Sequence, residues 1–269
     1  YSIPKQVKKF KPLCLFISYS GNTEETLSGI SDAKVNNFDW IVISSGGKLI
    51  DMAKNEGKEY IKIPNGLQPR AAFGYLTLAV SKIIDISEGS NYVSQLNDVS
   101  SHLDKLSKMD EESDINKLSI DICESINKKT VIIYSGTDMS RVVSSRWKTQ
   151  INENAKSKAF VGHLPEIHHN EILSWDADKD GSKKNYLVIF IRDQNEHVQI
   201  RKRFELTKDL IGEKVDITEV NLPNQESTLK TLLELVLLGD LVSLNLAVKL
   251  TVDPNDIETI EKLKKLLGE

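Results

Sequence analysis

The stretch Leu13-Cys14-Leu15-Phe16-Ile17-Ser18-Tyr19-Ser20-Gly21-Asn22-Thr23-Glu24-Glu25-Thr26-Leu27 decides how this chain is read. The apolar run from Leu13 to Ile17 reads as a buried strand, Ser18 to Thr23 as a tight turn, and the acidic residues after it as the first turn of a helix. A strand that enters a helix through hydroxyls and a glycine builds an anion site. Backbone N–H groups at the helix start, hydroxyl donors and the positive end of the helix dipole all converge above the turn. The turn has no lysine for a nucleoside triphosphate, and it matches neither G-x-x-x-x-G-K-[ST] nor G-x-G-x-x-G followed by an acidic ribose ligand. A single phosphate ester is the ligand this pattern suits. The simpler reading of the same residues is a helix capped by Asn22 or Thr23.

Outward from that turn the pattern alternates. It predicts a helix over 23–35, a strand over 39–44, a helix over 48–55 and a strand over 60–63, an order that means a parallel sheet with crossovers. Residues 64–69 read as a loop and 70–86 as a helix with Ala72, Leu76, Ala79, Val80 and Ile83 on one face. Residues 86–97 have the Ser, Glu, Gly and Asn mix of a linker, and polar helices follow to Asn127. A second α/β unit starts with the strand 130–135, where Tyr134-Ser135-Gly136-Thr137 echoes Tyr19-Ser20-Gly21-Asn22. A helix over 139–153, strands near 158–162, 186–192 and 214–220, and a helix over 197–210 continue it. From Glu226 to Leu250 apolar residues run nearly all round a long helix, which predicts burial or a subunit interface. Asp253-Pro254 restarts the chain, and 257–267 is a short amphipathic helix. The expected organisation is a first subdomain over 1–90, linker helices over 91–127, a second subdomain over 128–252 and a C-terminal helix in 253–269.

A chain of 269 residues can bury a substantial core and is long enough for two domains. The net charge is −4, with a pI near 5.8 and both signs interspersed, so neither a nucleic-acid footprint nor a polybasic membrane patch is supported. No apolar run is expected to reach the length of a membrane span. Cys14 and Cys123 sit in apolar settings without metal or redox spacing, and they read as reduced core residues of a cytoplasmic protein. Tyr1-Ser2-Ile3-Pro4 has neither an initiator methionine nor a signal-peptide pattern and looks like mid-domain sequence.

Three further segments sharpen the reading: Pro64-Asn65-Gly66-Leu67-Gln68-Pro69-Arg70-Ala71-Ala72, Asn152-Glu153-Asn154-Ala155-Lys156 and Leu164-Pro165-Glu166-Ile167-His168-His169-Asn170-Glu171. The Ser18 to Thr23 turn resembles the phosphosugar-binding turn of the sugar isomerase (SIS) domain family. The three segments, in order and spacing, look like the signature of the bifunctional phosphoglucose/phosphomannose isomerases, and the resemblance runs from residue 1 to the C-terminus. It implies an α/β fold of two SIS-type subdomains, each a parallel sheet flanked by helices in three layers. It implies an aldose–ketose isomerase that interconverts glucose 6-phosphate, and mannose 6-phosphate, with fructose 6-phosphate through a cis-enediol. The implied partner is a hexose 6-phosphate substrate, with no cofactor, no metal, no nucleic acid and no membrane. Family members also have an upstream strand and a Gly-Gly-Ser turn touching the phosphate, and neither is visible here.

Isomerisation needs a base between C2 and C1, a group that opens the ring, and positive charge beside the enediolate. Glu153 ends a helix on which Arg146 and Gln150 share its face. Read alone it is a solvated glutamate; the resemblance makes it the catalytic base. An imidazole of the His168-His169 pair suits proton delivery to a ring oxygen. His163, Glu166, His168 and His169 could be taken for a metal cluster, but the spacing is not H-E-x-x-H. The resemblance assigns ring opening to His169, reaching into the neighbouring subunit's site of a homodimer. Arg70 opens a helix, where a cation opposes the dipole, so an anionic partner explains it better than helix stability does. The resemblance makes it the group that stabilises the enediolate. It also matches Lys264 to a lysine that folds back to the site, with Lys262 and Lys265 as neighbouring rivals. Phosphate binding falls to Ser18, Ser20 and Thr23.

Asp176-Ala177-Asp178-Lys179-Asp180-Gly181 mimics the start of a calcium loop, but its twelfth position is Leu187 where a bidentate glutamate is required, so an exposed hairpin turn is expected. Two other functions stand beside the isomerase. One is a phosphosugar-binding regulatory SIS protein without turnover, for which Glu153, Arg70 and His169 would be unnecessary. The other is an amino-sugar isomerase, which would want a glutaminase partner.

Overall fold

Alternate residues of the first strands are apolar on both faces, so these strands bury both sides of a sheet, as parallel strands between helices do. In a computed structural model, which describes residues 1–108, 113–136, 138–177, 182–193, 195–221 and 228–267, the chain divides into two compact units. One comprises residues 1–96 with 257–269, and the other residues 97–256.

In the first unit, α1 (Lys5–Lys8) precedes β1 (Cys14–Ile17), α2 (Glu24–Val35), β2 (Trp40–Ser44), α3 (Gly47–Asn55), β3 (Tyr60–Lys62) and α4 (Phe73–Glu88). The strands pair in parallel in the order β1-β2-β3, with Cys14 opposite Trp40 and Val42 opposite Tyr60. Phe16, Trp40 and Val42 face Ile30, Ala33, Leu49 and Ala53 of α2 and α3. Leu15, Ile41, Ile43, Ile61 and Ile63 face the other way, onto Ala72, Ala79 and Ile83 at α4. Three layers follow from that alternation.

The stretch 86–97, expected as a linker, is mostly helix. Gly89 ends α4 in the left-handed conformation, φ +68, and α5 (Tyr92–Ser107) starts three residues later. The cap of α5 comes from the previous helix: Asp85 Oδ1 accepts the N–H of Tyr92 at 2.8 Å and Oδ2 that of Val93 at 2.9 Å.

The second unit continues through α6 (Asp114–Ile126), β4 (Thr130–Ser135), α7 (Asp138–Ala155), β5 (Ala159–His163), the single turns α8 (Ser174–Ala177) and α9 (Ser182–Asn185), β6 (Tyr186–Ile191), α10 (Val198–Ile211), β7 (Asp216–Val220) and α11 (Thr228–Leu250). Its four parallel strands run in the order β5-β4-β6-β7. Val131, Ile133, Leu187, Ile189 and Ile191 face α6, α7 and α11, whereas Tyr134, Val188 and Phe190 face α10 and the chain after β5. Of the turn expected at Asp176–Gly181, Asp176 and Ala177 belong to the helical turn α8, and residues 178–181 lie outside the described residues. A last helix, α12 (Glu258–Leu267), belongs to the first unit.

The expectation about apolar length needs correction. At 23 residues and a mean hydropathy of 1.8, α11 is long and apolar enough to cross a membrane. However, 67% of its most apolar window is buried inside the protein, where it is the central helix of the second unit's core. It also holds a buried Glu234, bonded to His102 of α5, and an Asp240 that takes bonds from α7. Its near-continuous apolar surface answers to neighbours on several sides. Gly239 is one cause of the close fit: a Cβ there would stand 2.3 Å from Nε1 of Trp147, whose indole N–H donates to the Leu235 carbonyl at 2.8 Å.

Candidate active site

The turn after β1 gathers its hydroxyls. Ser18 Oγ lies 2.6 Å from Thr23 Oγ1 and 3.5 Å from Ser20 Oγ, and it accepts the Gly21 N–H at 3.1 Å. Ser18 is buried, Thr23 half-buried and Ser20 exposed, so the cluster opens to solvent on one side. The capping alternative is answered here. Thr23 occupies the N-cap position of α2, yet its side chain caps nothing and meets Ser18 instead. Asn22 caps the neighbouring helix: its Oδ1 accepts the Lys48 N–H of α3 at 3.1 Å.

That bond shows how the turn is held. Gly21, at φ +71, lies so close to the turn after β2 that a Cβ would stand 1.8 Å from the Gly46 carbonyl oxygen. The Tyr19 carbonyl accepts the Ser45 N–H at 3.0 Å and the Ser45 hydroxyl at 2.6 Å. The Tyr19 hydroxyl in turn accepts the Leu67 N–H at 2.8 Å. Tyr19 thus joins the hydroxyl turn to the loop that delivers Arg70, a role with no sequence signal beyond its place in the turn. Arg70 is half-buried in a 3-10 turn, Pro69–Ala72, that precedes α4, so the helix expected from residue 70 begins three residues later.

Lys264 is on α12 in the same unit, and Lys262, Lys264 and Lys265 are all exposed. Leu267 at the end of that helix lines a cleft of about 500 Å³ with Asn22, Glu24, Leu27, Ser28 and Lys48. The end of α12 therefore lies beside the hydroxyl turn.

In the second unit, Glu153 sits half-buried in the last turn of α7, where a carboxylate faces the negative end of the dipole and gains nothing for the helix. Its neighbours are committed elsewhere. Arg146 Nη2 and Gln150 Nε2 each donate to Asp240 of α11 at 2.7 Å, and the buried Asn154 donates to Ser243 Oγ at 2.9 Å. Asn152 Nδ2 donates to the Ser157 carbonyl at 2.8 Å. The polar face noted in the sequence is therefore a clamp between α7 and α11, with Asp240 its unpredicted centre.

The histidine pair divides in two. His168 Nδ1 receives a guanidinium N–H of Arg203 at 2.9 Å, and its Nε2 lies 2.7 Å from Thr207 Oγ1, which donates to the Arg203 carbonyl at 2.7 Å. An arginine only donates, so Nδ1 must accept and the proton resides on Nε2. Burial, then the charges of Arg203 and His169, hold His168 below the usual imidazole range. His169 is exposed. Arg203 and Thr207 lie four residues apart on α10 and carried no signal of this role in the sequence. The segment is pinned again beyond the pair: Tyr134 Oη donates to Glu171 Oε1 at 2.7 Å and accepts the Trp175 indole N–H at 3.0 Å. Burial, followed by that carboxylate, pushes the Tyr134 hydroxyl far up, so it stays protonated.

Of the echo after β4, Thr137 lies outside the described residues, and Ser135 and Gly136 are enclosed. Ser135 Oγ is fully buried and engaged by His163 Nδ1 at 2.8 Å and Ser144 Oγ at 3.0 Å. A Cβ on Gly136 would meet Ile200 at 2.8 Å, so an apolar side chain fills the space above. Burial, and then Arg141, hold His163 below the usual imidazole range. Among the described residues no three His, Cys, Asp or Glu side chains converge as metal ligands.

A family model described as the bacterial phospho-glucose isomerase C-terminal SIS domain matches residues 115–267. The chain is 35% identical to a bifunctional phosphoglucose/phosphomannose isomerase from Aquifex aeolicus, over 99% of this chain and 79% of that protein. The chain belongs to the bifunctional phosphoglucose/phosphomannose isomerase family. The family's near surroundings include a second activity: a D-glucosamine-6-phosphate 4-epimerase from Sulfolobus acidocaldarius is 30% identical over 95% of this chain and 76% of its own length. The fold also recurs in the crystal structure of glucosamine-6-phosphate deaminase from Thermotoga maritima, with a TM-score of 0.65 at 17% identity over 93% of this chain and 76% of that one. Two parallel sheets flanked by helices are the SIS architecture, and several residues of the family's signature segments are structural: Asn152 and Asn154 hold the end of α7, and His168 bonds α10.

Proposed function

We propose that the chain interconverts glucose 6-phosphate, and mannose 6-phosphate, with fructose 6-phosphate. Family membership over nearly the whole chain carries this reading. The Ser18, Ser20 and Thr23 hydroxyls and the N–H groups at the start of α2 receive the phosphate. His169 delivers a proton to the ring oxygen as the C1–O5 bond breaks, and the O1 hydroxyl gives up its proton to leave the open-chain aldehyde. Glu153 takes the proton from C2, leaving an enediolate whose charge Arg70 offsets, and returns it to C1 while the hydroxyl proton passes from O2 to O1. This moves protons only, and no electrons leave the sugar. Lys264 of α12 adds positive charge at the phosphate end.

The active form in this reading is a homodimer in the cytoplasm, with His169 serving the neighbouring subunit's substrate. The support for that lies in the second unit: α7, which carries Glu153, packs on one face of the β5-β4-β6-β7 sheet, and Ile167 of the His168-His169 turn packs on the other. The free state of Cys14 and Cys123 fits a reducing compartment.

A coupled assay that offers glucose 6-phosphate and mannose 6-phosphate separately and detects fructose 6-phosphate tests the proposal, and no product from either would end it. The epimerase relative supports one other reading, C4 epimerisation of an amino-sugar phosphate. Turnover of glucosamine 6-phosphate in place of the hexose phosphates would favour it.

A further inference from the structure

Lys156 is the first residue past α7 and has φ +53. The Ser157 N–H meets the Ile151 carbonyl at 3.3 Å, a seven-residue span, and a left-handed position just past a helix end is one that glycine usually fills. A side chain at that position crowds its own carbonyl, so lysine is a strained choice. The ammonium gives the choice a use. Lys156 Nζ donates to the Glu153 carbonyl at 2.6 Å and to the Pro254 carbonyl at 3.1 Å.

Pro254 lies in the short connection from α11 to α12, and that connection is strained as well. Thr251, directly after α11, has φ +57, which is an outlier for a β-branched residue. Two helix ends, each closed by a non-glycine residue in the left-handed region, therefore flank one exposed ammonium that joins them. Backbone strain of this kind persists where the surrounding bonds over-determine it, and it concentrates at functional segments. A lysine needed only to end α7 would be served as well or better by glycine.

We propose that Lys156 is a positioning residue. Its ammonium fastens the backbone of Glu153 to Pro254, so that the last turn of α7 and the connection after α11 are held in one register. The proposal rests on the isomerase reading of Glu153. It differs from helix capping in what replacement does: glycine or asparagine at 156 removes the strain and keeps the closure, but loses the tie.

The test compares the full chain with Lys156→Gly, Lys156→Asn and Lys156→Arg. The Gly and Asn variants are expected to melt at or above the wild-type temperature, yet to lose kcat by about tenfold or more with KM for glucose 6-phosphate unchanged, since small misplacements of a catalytic group are costly. Lys156→Arg, which keeps a donor to both carbonyls, should recover kcat to within about threefold of wild type. Hydrogen exchange of the amides in 252–261 should speed up in Lys156→Gly and not in Lys156→Arg. Wild-type kcat in the Gly and Asn variants, or unchanged exchange in that segment, overturns the proposal. If the wild-type protein turns over no hexose phosphate, the isomerase reading falls, and the exchange comparison still decides whether the tie exists.

Discussion

Glu153 and His169 stand on opposite sides of one sheet: the helix that ends in Glu153 covers the face built by Val131, Ile133 and Ile189, and the turn that holds His169 covers the face built by Tyr134, Val188 and Phe190. Under the proposed roles, base for Glu153 and ring-opening acid for His169, the two are expected to act on different substrate molecules. Glu153→Gln should lower kcat by about 10²-fold or more and leave KM within about threefold, because the amide keeps the shape and cannot take the C2 proton. His169→Ala should also be inactive. Mixed and exchanged, the two variants are expected to regain activity in heterodimers. Full subunit exchange without recovery would place His169 at its own chain's substrate.

The two histidines should separate by pH and by substitution. His168 has a lowered affinity for protons in the folded state, from burial first and Arg203 second. The unfolded chain therefore binds more protons at mildly acid pH. The stability it contributes is complete above about pH 6.5, the ordinary imidazole value, and is lost as pH falls through the lower folded value. His168→Gln is expected to flatten that acid limb in melts recorded across pH while keeping kcat within about tenfold, well short of the loss a removed general acid causes. An unchanged acid limb would contradict the assignment.

Phosphate affinity should reside in the hydroxyl turn. Hydrogen bonds to charged groups are worth about 1.5–3 kcal/mol, so Ser18→Ala and Thr23→Val should each raise KM for glucose 6-phosphate by about tenfold or more. Inhibition by inorganic phosphate should weaken in parallel. Calorimetric titration with the substrate phosphate provides the measurement, and wild-type affinity in both variants would move the anion elsewhere.

The scaffold of that turn predicts a contrast between glycines. Gly21→Ala combines a φ of +71 with a Cβ 1.8 Å from the Gly46 oxygen, and it is expected to cost about 3 kcal/mol or more, or to prevent folding. Gly66→Ala, at φ +87 with nothing within 4 Å of its Cβ, should cost only about 1–2 kcal/mol. Denaturant melts of the two variants read the difference directly.

Relative use of the two sugars should depend on Ile257. Glucose and mannose 6-phosphates give the same enediol, so dual activity requires either face of C2 to meet Glu153 after rotation about C2–C3. Ile257 is half-buried immediately before α12, the helix that carries Lys264. Its bulk is expected to hold mannose 6-phosphate turnover below that of glucose 6-phosphate, and Ile257→Thr should narrow the gap. Equal rates in the wild type would remove that role.

Along the chain, most elements and the clustering of hydroxyls in one turn could be read directly. The strands β1 to β7 and the long helices α2, α3, α4, α7, α10, α11 and α12 were legible because apolar periodicity and turn residues are local signals, whereas the single turns α8 and α9 were not. The hydroxyl turn was legible because Ser18, Ser20 and Thr23 lie within six positions. Only the tertiary structure decided what depends on residues far apart. Asp240 of α11 claims the polar face of α7. Arg203 and Thr207 fix the proton of His168, and His163, Ser144 and Ile200 close the second copy of the turn. In each case a polar group or a glycine takes its meaning from a partner brought up by another element, and no spacing along the chain encodes that meeting.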